Sequence, residues 1–278
     1  MSALILVSLV AYTAIALLFK AAAPRTQSDR LVVVAVTVVT LAAAGMMIVR
    51  GEWGGTWIGA AIALFSGTLF YLASVYRVKA LTTTPVSLVF ALTNLDLVIS
   101  GAIALFLPVF GQSLTPWNVL AVVVAGAAIL LGAQIRGVER ISGYTFLSLA
   151  ILSVSALGFV VYAHFFPTAL LFFILLDHLA GVLLNGRALR AVQRSEVIWG
   201  TGLGVCMFIG FWSLLQALAT SGSGVTLVLL VLSMKTPLIA LLAVPVFKER
   251  VTGAKFAAVG LASLALVLWE VGTAFERL

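Results

Sequence analysis

Two charged residues stand in the middle of apolar runs: Lys235 in "LSMKTPLIAL" (232–241) and Asp96 in "ALTNLDLVIS" (91–100). A cation at the centre of an apolar helix costs about 3 kcal/mol on insertion scales, so such groups usually mark a pathway or a ligand. An ammonium at that depth can bind a phosphate or a carboxylate. Asp96 and Asn94 can bind polar groups of the same ligand or a coupling proton. The structural alternative is a buried Lys235–Asp96 ion pair that only fixes packing. Ser233 and Thr236 flank the lysine as auxiliary hydroxyls, although hydroxyls in such helices often bond back to their own backbone. Pro237 lacks the N–H that would meet the Ser233 carbonyl, which leaves that oxygen for a ligand, a hinge or a tolerated kink.

A second group is Asp177 and His178 in "FFILLDHLAG" (172–181). These are candidates for proton coupling, with the histidine suited to titration near neutral pH. Neighbours on a helix point about 100° apart, so one of them at most faces a central cavity directly. Pairing with a neighbouring helix and a histidine bond to a carbonyl are the structural alternative. Tyr71, Trp212 and Gln216 offer stacking and hydrogen bonds to a ligand. Enzymatic motifs are absent: the sequence has no HExxH, no GxSxG and no Gly-rich phosphate loop. Two histidines and Cys206 cannot build a structural zinc site, so neither metal nor cofactor is expected.

The elements that must position these groups are membrane helices. The chain has 278 residues, 63% hydrophobic and 9% charged, with a mean hydropathy of +1.23. A water-soluble fold would lack a polar surface, and apolar runs this long fit helices and not barrel strands. Ten spans are expected, at approximately 2–19, 31–49, 57–76, 86–107, 117–134, 143–163, 168–186, 197–219, 224–247 and 254–272. The first is read as a retained helix and not a cleaved signal, because it lacks a basic start and further spans follow. Of the 16 Lys and Arg, 13 fall in loops on one side, Arg50 and Arg277 on the other, and Lys235 in a helix. The positive-inside rule then places both termini outside, and the dispersed charges argue against nucleic acid. Trp53, Trp57, Trp117 and Trp199 fit an interfacial belt, and the glycines at 200, 202, 204 and 210 fit close helix contact.

"PVFGQSLT" at 108–115 returns as "PVFKERVT" at 245–252, an offset of 137, and Ala80-Leu81 return as Ala217-Leu218 at the same offset. We read two halves, 1–139 and 140–278, forming one integrated transmembrane domain. Five spans per half force the second half into the membrane upside down. Inverted repeats of this kind characterise many secondary transporters, with the substrate site near the midplane between the halves.

The whole pattern resembles the drug/metabolite transporter superfamily in its ten-helix EamA-like form: two five-helix halves, short loops, and long fourth and ninth helices that close into a turn before Leu-Thr or Val-Thr. The family's turn glutamate is matched by Glu249, whereas the first half has Gln112 and Ser113. Lys235 with Pro237 two residues later resembles the ninth-helix segment of nucleotide-sugar and sugar-phosphate transporters, which implies a site for an anionic group. The expected fold is thus all-α, with ten transmembrane helices in inverted repeats. The expected function is a secondary transporter moving a small anionic or zwitterionic metabolite by alternating access. An exporter of amino acids or drugs is the alternative within the superfamily. A lipid-linked sugar flippase or a membrane-embedded lipid-modifying enzyme is the alternative outside it. The expected setting is the bacterial inner (cell) membrane, with the bilayer and a small-molecule substrate as partners and a homodimer compatible.

Overall fold

The computed structural model describes residues 2–51, 54–105, 115–134, 141–166, 168–221, 233–250 and 252–275. Its helices are α1 (Ser2–Ala22), α2 (Ser28–Arg50), α3 (Trp57–Leu81), α4 (Val86–Thr93), α5 (Asp96–Leu105), α6 (Pro116–Gln134), α7 (Gly143–Phe165), α8 (Leu170–Asn185), α9 (Arg194–Ser221), α10 (Lys235–Phe247) and α11 (Gly253–Phe275). No strand occurs among the described residues. Nine spans there are long and apolar enough to cross a bilayer, with α4 and α5 forming one of them, and α10 is a shorter apolar helix. The chain is an α-helical, multi-pass membrane protein. The span expected at 224–247 lies partly outside the described residues, as do Trp53 and both Gln112 and Ser113.

Several expected boundaries move, for identifiable reasons. Helix α3 runs to Leu81 rather than stopping near residue 76, because its two cations are accommodated. Arg77 turns inward and is buried, while the Lys79 amine reaches out to the rings of Tyr76 and Tyr144, 5.5 and 5.7 Å away. The fourth span is broken, with Leu95 N–H bonding to Leu92 at 3.1 Å and so leaving the regular ladder. Pro237 falls in the first turn of α10, where a missing N–H costs little, so it helps to start this helix instead of kinking it.

Helix α3 packs on α7 and α8, and α9 packs on α1 and α2. Helices α5 and α4 pack on α7, and α10 packs on α1. Helix α2 meets α8, α4 meets α10, and α6 meets α11. Two glycines make the closest of these approaches possible. A side chain at Gly67 would collide with the backbone of Asp177, and one at Gly204 with the Ala35 carbonyl and Val38. Two serines tie the same layers: Ser148 donates to the Ala73 carbonyl at 2.8 Å and Ser8 to the Gly210 carbonyl at 3.1 Å.

Candidate functional site

Asp96 is the first residue of α5 and Lys235 the first of α10, so each charge opens a helix that begins inside the bundle. At the start of α5 the Asp96 carboxylate lies beside the unpaired backbone N–H groups of the first turn, a position that favours a negative charge. The two breaks are joined, since Asn94 Nδ2 donates to Thr236 Oγ1 at 2.9 Å. The Lys235 ammonium lies 5.1 Å from the centre of the Tyr12 ring, near the middle of α1. That face of the ring carries the partial negative charge that attracts a cation.

A second cation reaches the same place. Arg77 on α3 interacts electrostatically with both Asp96 and Lys235, and its guanidinium stands 5.1 Å over the Phe90 ring of α4. Arg77 is 8% exposed and its Nε has no hydrogen-bond partner. The direct pair of opposite charges found among the described residues is Lys255–Glu249. Asp96 is therefore within reach of two cations and in contact with neither. Tyr12, Asp96 and Lys235 each keep part of their surface uncovered, although Ala11, Leu95 and Thr236 beside them are buried.

From Tyr12 a line of rings runs deeper. Its centroid is 5.8 Å from that of Phe211, which is 5.6 Å from His178, and Phe70 lies 5.4 Å from His178. His178 Nδ1 is 2.9 Å from the Ile174 carbonyl, a bond in which the nitrogen must donate, so Nε2 is the bare nitrogen of the neutral ring. Nε2 is buried without a partner, and Asp177 Oδ2 lies 3.6 Å from Nδ1. His178 is thus joined to the Lys235 site through aromatic rings and not through a hydrogen-bonded chain.

The remaining sequence candidates divide. Ser233 is buried just before the break in the lysine span. Tyr71 lies elsewhere: its hydroxyl donates to the Asp29 carbonyl at 3.3 Å and accepts from Asn185 Nδ2 at 2.7 Å, tying α2 to α8. Trp212 stacks on Phe208 and carries the Arg50 guanidinium 4.5 Å from its ring centre, with Gln216 one turn further along α9. Sequence reasoning missed Arg77, placing it in a loop, and missed Tyr12. No sequence signal separates Arg77 from Lys79; its inward turn follows from the buried stripe of Ser74, Val75, Val78 and Leu81 in the folded α3.

At the end of the bundle that carries the basic loops, Glu249, Lys255, Lys20 and Glu196 each have close polar partners. The Glu249 carboxylate accepts from the Val86 N–H, from Ser87 Oγ at 2.6 Å and from Lys255 Nζ at 2.9 Å. It thereby caps α4 from the turn after α10. Lys248, at φ 54°, makes the left-handed step that brings Glu249 there. Lys20 donates to the Leu81 and Thr84 carbonyls at 2.7 and 3.1 Å, and the Ser142 N–H donates to Thr84 Oγ1 at 2.9 Å. Glu196 does similar service nearby, accepting from the Gln27 and Gln193 N–H groups at 3.1 and 2.6 Å.

No family model matches the chain, and no curated protein matches it. Twenty-one chains of solved structures do match. One of them, described only as "Crystal structure of protein", superposes with a TM-score of 0.63 at 17% identity, over 99% of this chain and 98% of that one. At that identity the likeness is one of fold.

Proposed function

We propose that this protein is a secondary transporter of the drug/metabolite transporter superfamily, built as two inverted five-helix halves (1–139 and 140–278) and moving a small anionic or zwitterionic metabolite. The observation that carries the reading is the charge pair held apart: Lys235 and Asp96 open two interrupted helices and keep surface uncovered without touching each other. A pair that existed only for packing would close. Interrupted helices at a midplane site, with their N-terminal ends toward the ligand, are how many transporters hold ions and anionic groups.

The inverted-repeat reading draws support from residues that were not used to infer it. The offset of 137 relates Gly67 to Gly204, the two glycines pressed most closely on the backbone of a neighbouring helix, and also Ala73 to Gly210, the two carbonyls that accept from Ser148 and Ser8. Exchanging each span for the one five further on carries α3 on α7 and α8 into α9 on α1 and α2. We read the protein as a transporter and not an enzyme, located in a bacterial inner membrane.

The test is uptake into proteoliposomes. Lys235→Ala abolishes transport while the purified protein remains folded and monodisperse. Retained transport in that variant, or an unfolded variant rescued by replacing Lys235 and Asp96 together with apolar residues, would overturn the reading. The exporter alternative is favoured by one observation, the line of rings from Tyr12 to Phe70. Inhibition by hydrophobic cations in preference to anions would select it.

A further inference from the structure

Arg77 is buried within electrostatic reach of Asp96 and Lys235, and its Nε–H has no acceptor. A guanidinium cannot shed its proton in a protein, and it presents five donors in a rigid plane. Enclosing such a group with a donor left unmet is costly, so the free Nε–H of Arg77 calls for an oxyanion from outside the chain. Lys20, Lys255 and Glu249 show how this protein satisfies charges that serve only structure: each makes at least two close polar contacts. Arg77 has instead the Phe90 ring on one face and the fields of Asp96 and Lys235.

We propose that Arg77 is the principal ligand of the substrate's anionic group, with Lys235 as its second cation, and that this group is a carboxylate on a molecule of net charge −1. This rests on the transporter reading and names the substrate class of its site. Two cations and one carboxylate leave a formal charge of +1 among Arg77, Lys235 and Asp96. One carboxylate neutralises it, whereas a phosphate dianion would reverse it and a zwitterion would leave it. The planar fork of Arg77 matches the two oxygens of a carboxylate, which a lysine cannot do. Phe90, against the guanidinium, and Tyr12, against the ammonium, keep both cations on apolar supports that compete with no oxyanion.

The experiment compares wild type, Arg77→Lys, Arg77→Gln and Lys235→Gln in nanodiscs, reading thermal stabilisation by benzoate and pyruvate (monoanions), L-leucine (zwitterion) and glycerol 3-phosphate (dianion). The monoanions are expected to stabilise wild type most. Arg77→Lys keeps the charge and the fold but should weaken monoanion affinity tenfold or more, and Arg77→Gln should abolish binding. Two results overturn the proposal while sparing the transporter reading. One is a monoanion bound equally by wild type and both Arg77 variants but lost in Lys235→Gln. The other is wild type stabilised by the zwitterion or the dianion alone. A wild type that responds to none of the probes overturns the monoanion assignment, and uptake that survives Lys235→Ala separately overturns transport through this site.

Discussion

The basic end of the bundle and its centre hold similar charges in opposite ways. At the basic end Glu249 and Lys255 are each 6% exposed and bonded to each other, and Glu249 also caps α4. At the centre Arg77, Asp96 and Lys235 influence one another without contact. Breaking a buried pair by removing one partner is strongly destabilising, whereas an unpaired buried charge is already a burden on the fold. The first cluster holds helices together. The second is maintained at the fold's expense, as a ligand site would be.

The largest effect is expected at the paired cluster. Glu249→Ala leaves Lys255 buried without its carboxylate and α4 without its cap, and should lower unfolding stability by about 3–5 kcal/mol, read by denaturant titration in detergent. If the loss is under about 1 kcal/mol, the contrast between the two clusters collapses. At the centre, Lys235→Met should cost nothing and raise stability by about 1 kcal/mol, since it removes a buried cation that makes no direct pair and leaves Asp96 at the start of α5 in the field of Arg77. A loss of stability there would reveal a structural ion pair. Asn94→Ala should cost about 1 kcal/mol through its bond to Thr236, and a double-mutant cycle with Thr236→Val should recover that coupling. The smallest effect is at the turn: Lys248→Gly relieves a left-handed residue and should stabilise by a few tenths to about 1 kcal/mol, seen as a small rise in melting temperature.

What the sequence disclosed and what it hid follow from the physics of each residue. Span positions were legible because a bilayer demands long apolar runs, and Lys235 and Asp96 stood out because nothing else in their runs is charged. Arg77 was not legible as a site residue. A cation near the end of an apolar run normally ends the span or reaches out to the interface, as Lys79 does beside Tyr76 and Tyr144. Only the third dimension separates Arg77 from Lys79, two residues later. Tyr71 and Trp212 offered chemistry suited to a ligand, but hydrogen bonds of Tyr71 to Asp29 and Asn185, and Arg50 over Trp212, depend on which helices meet. The break at Leu95 was hidden as well, because "ALTNLDLVIS" has neither glycine nor proline to announce it.

The two glycine notches also limit how these helices can move. With the Asp177 backbone seated at Gly67 and the Ala35 carbonyl at Gly204, sliding α3 along α8, or α9 along α2, would drive a carbonyl into the next side chain. Turning about the point of contact meets no such barrier. The notches therefore act as a pair of bearings, fixed in position and free in angle, and any rearrangement of the bundle must swing on them.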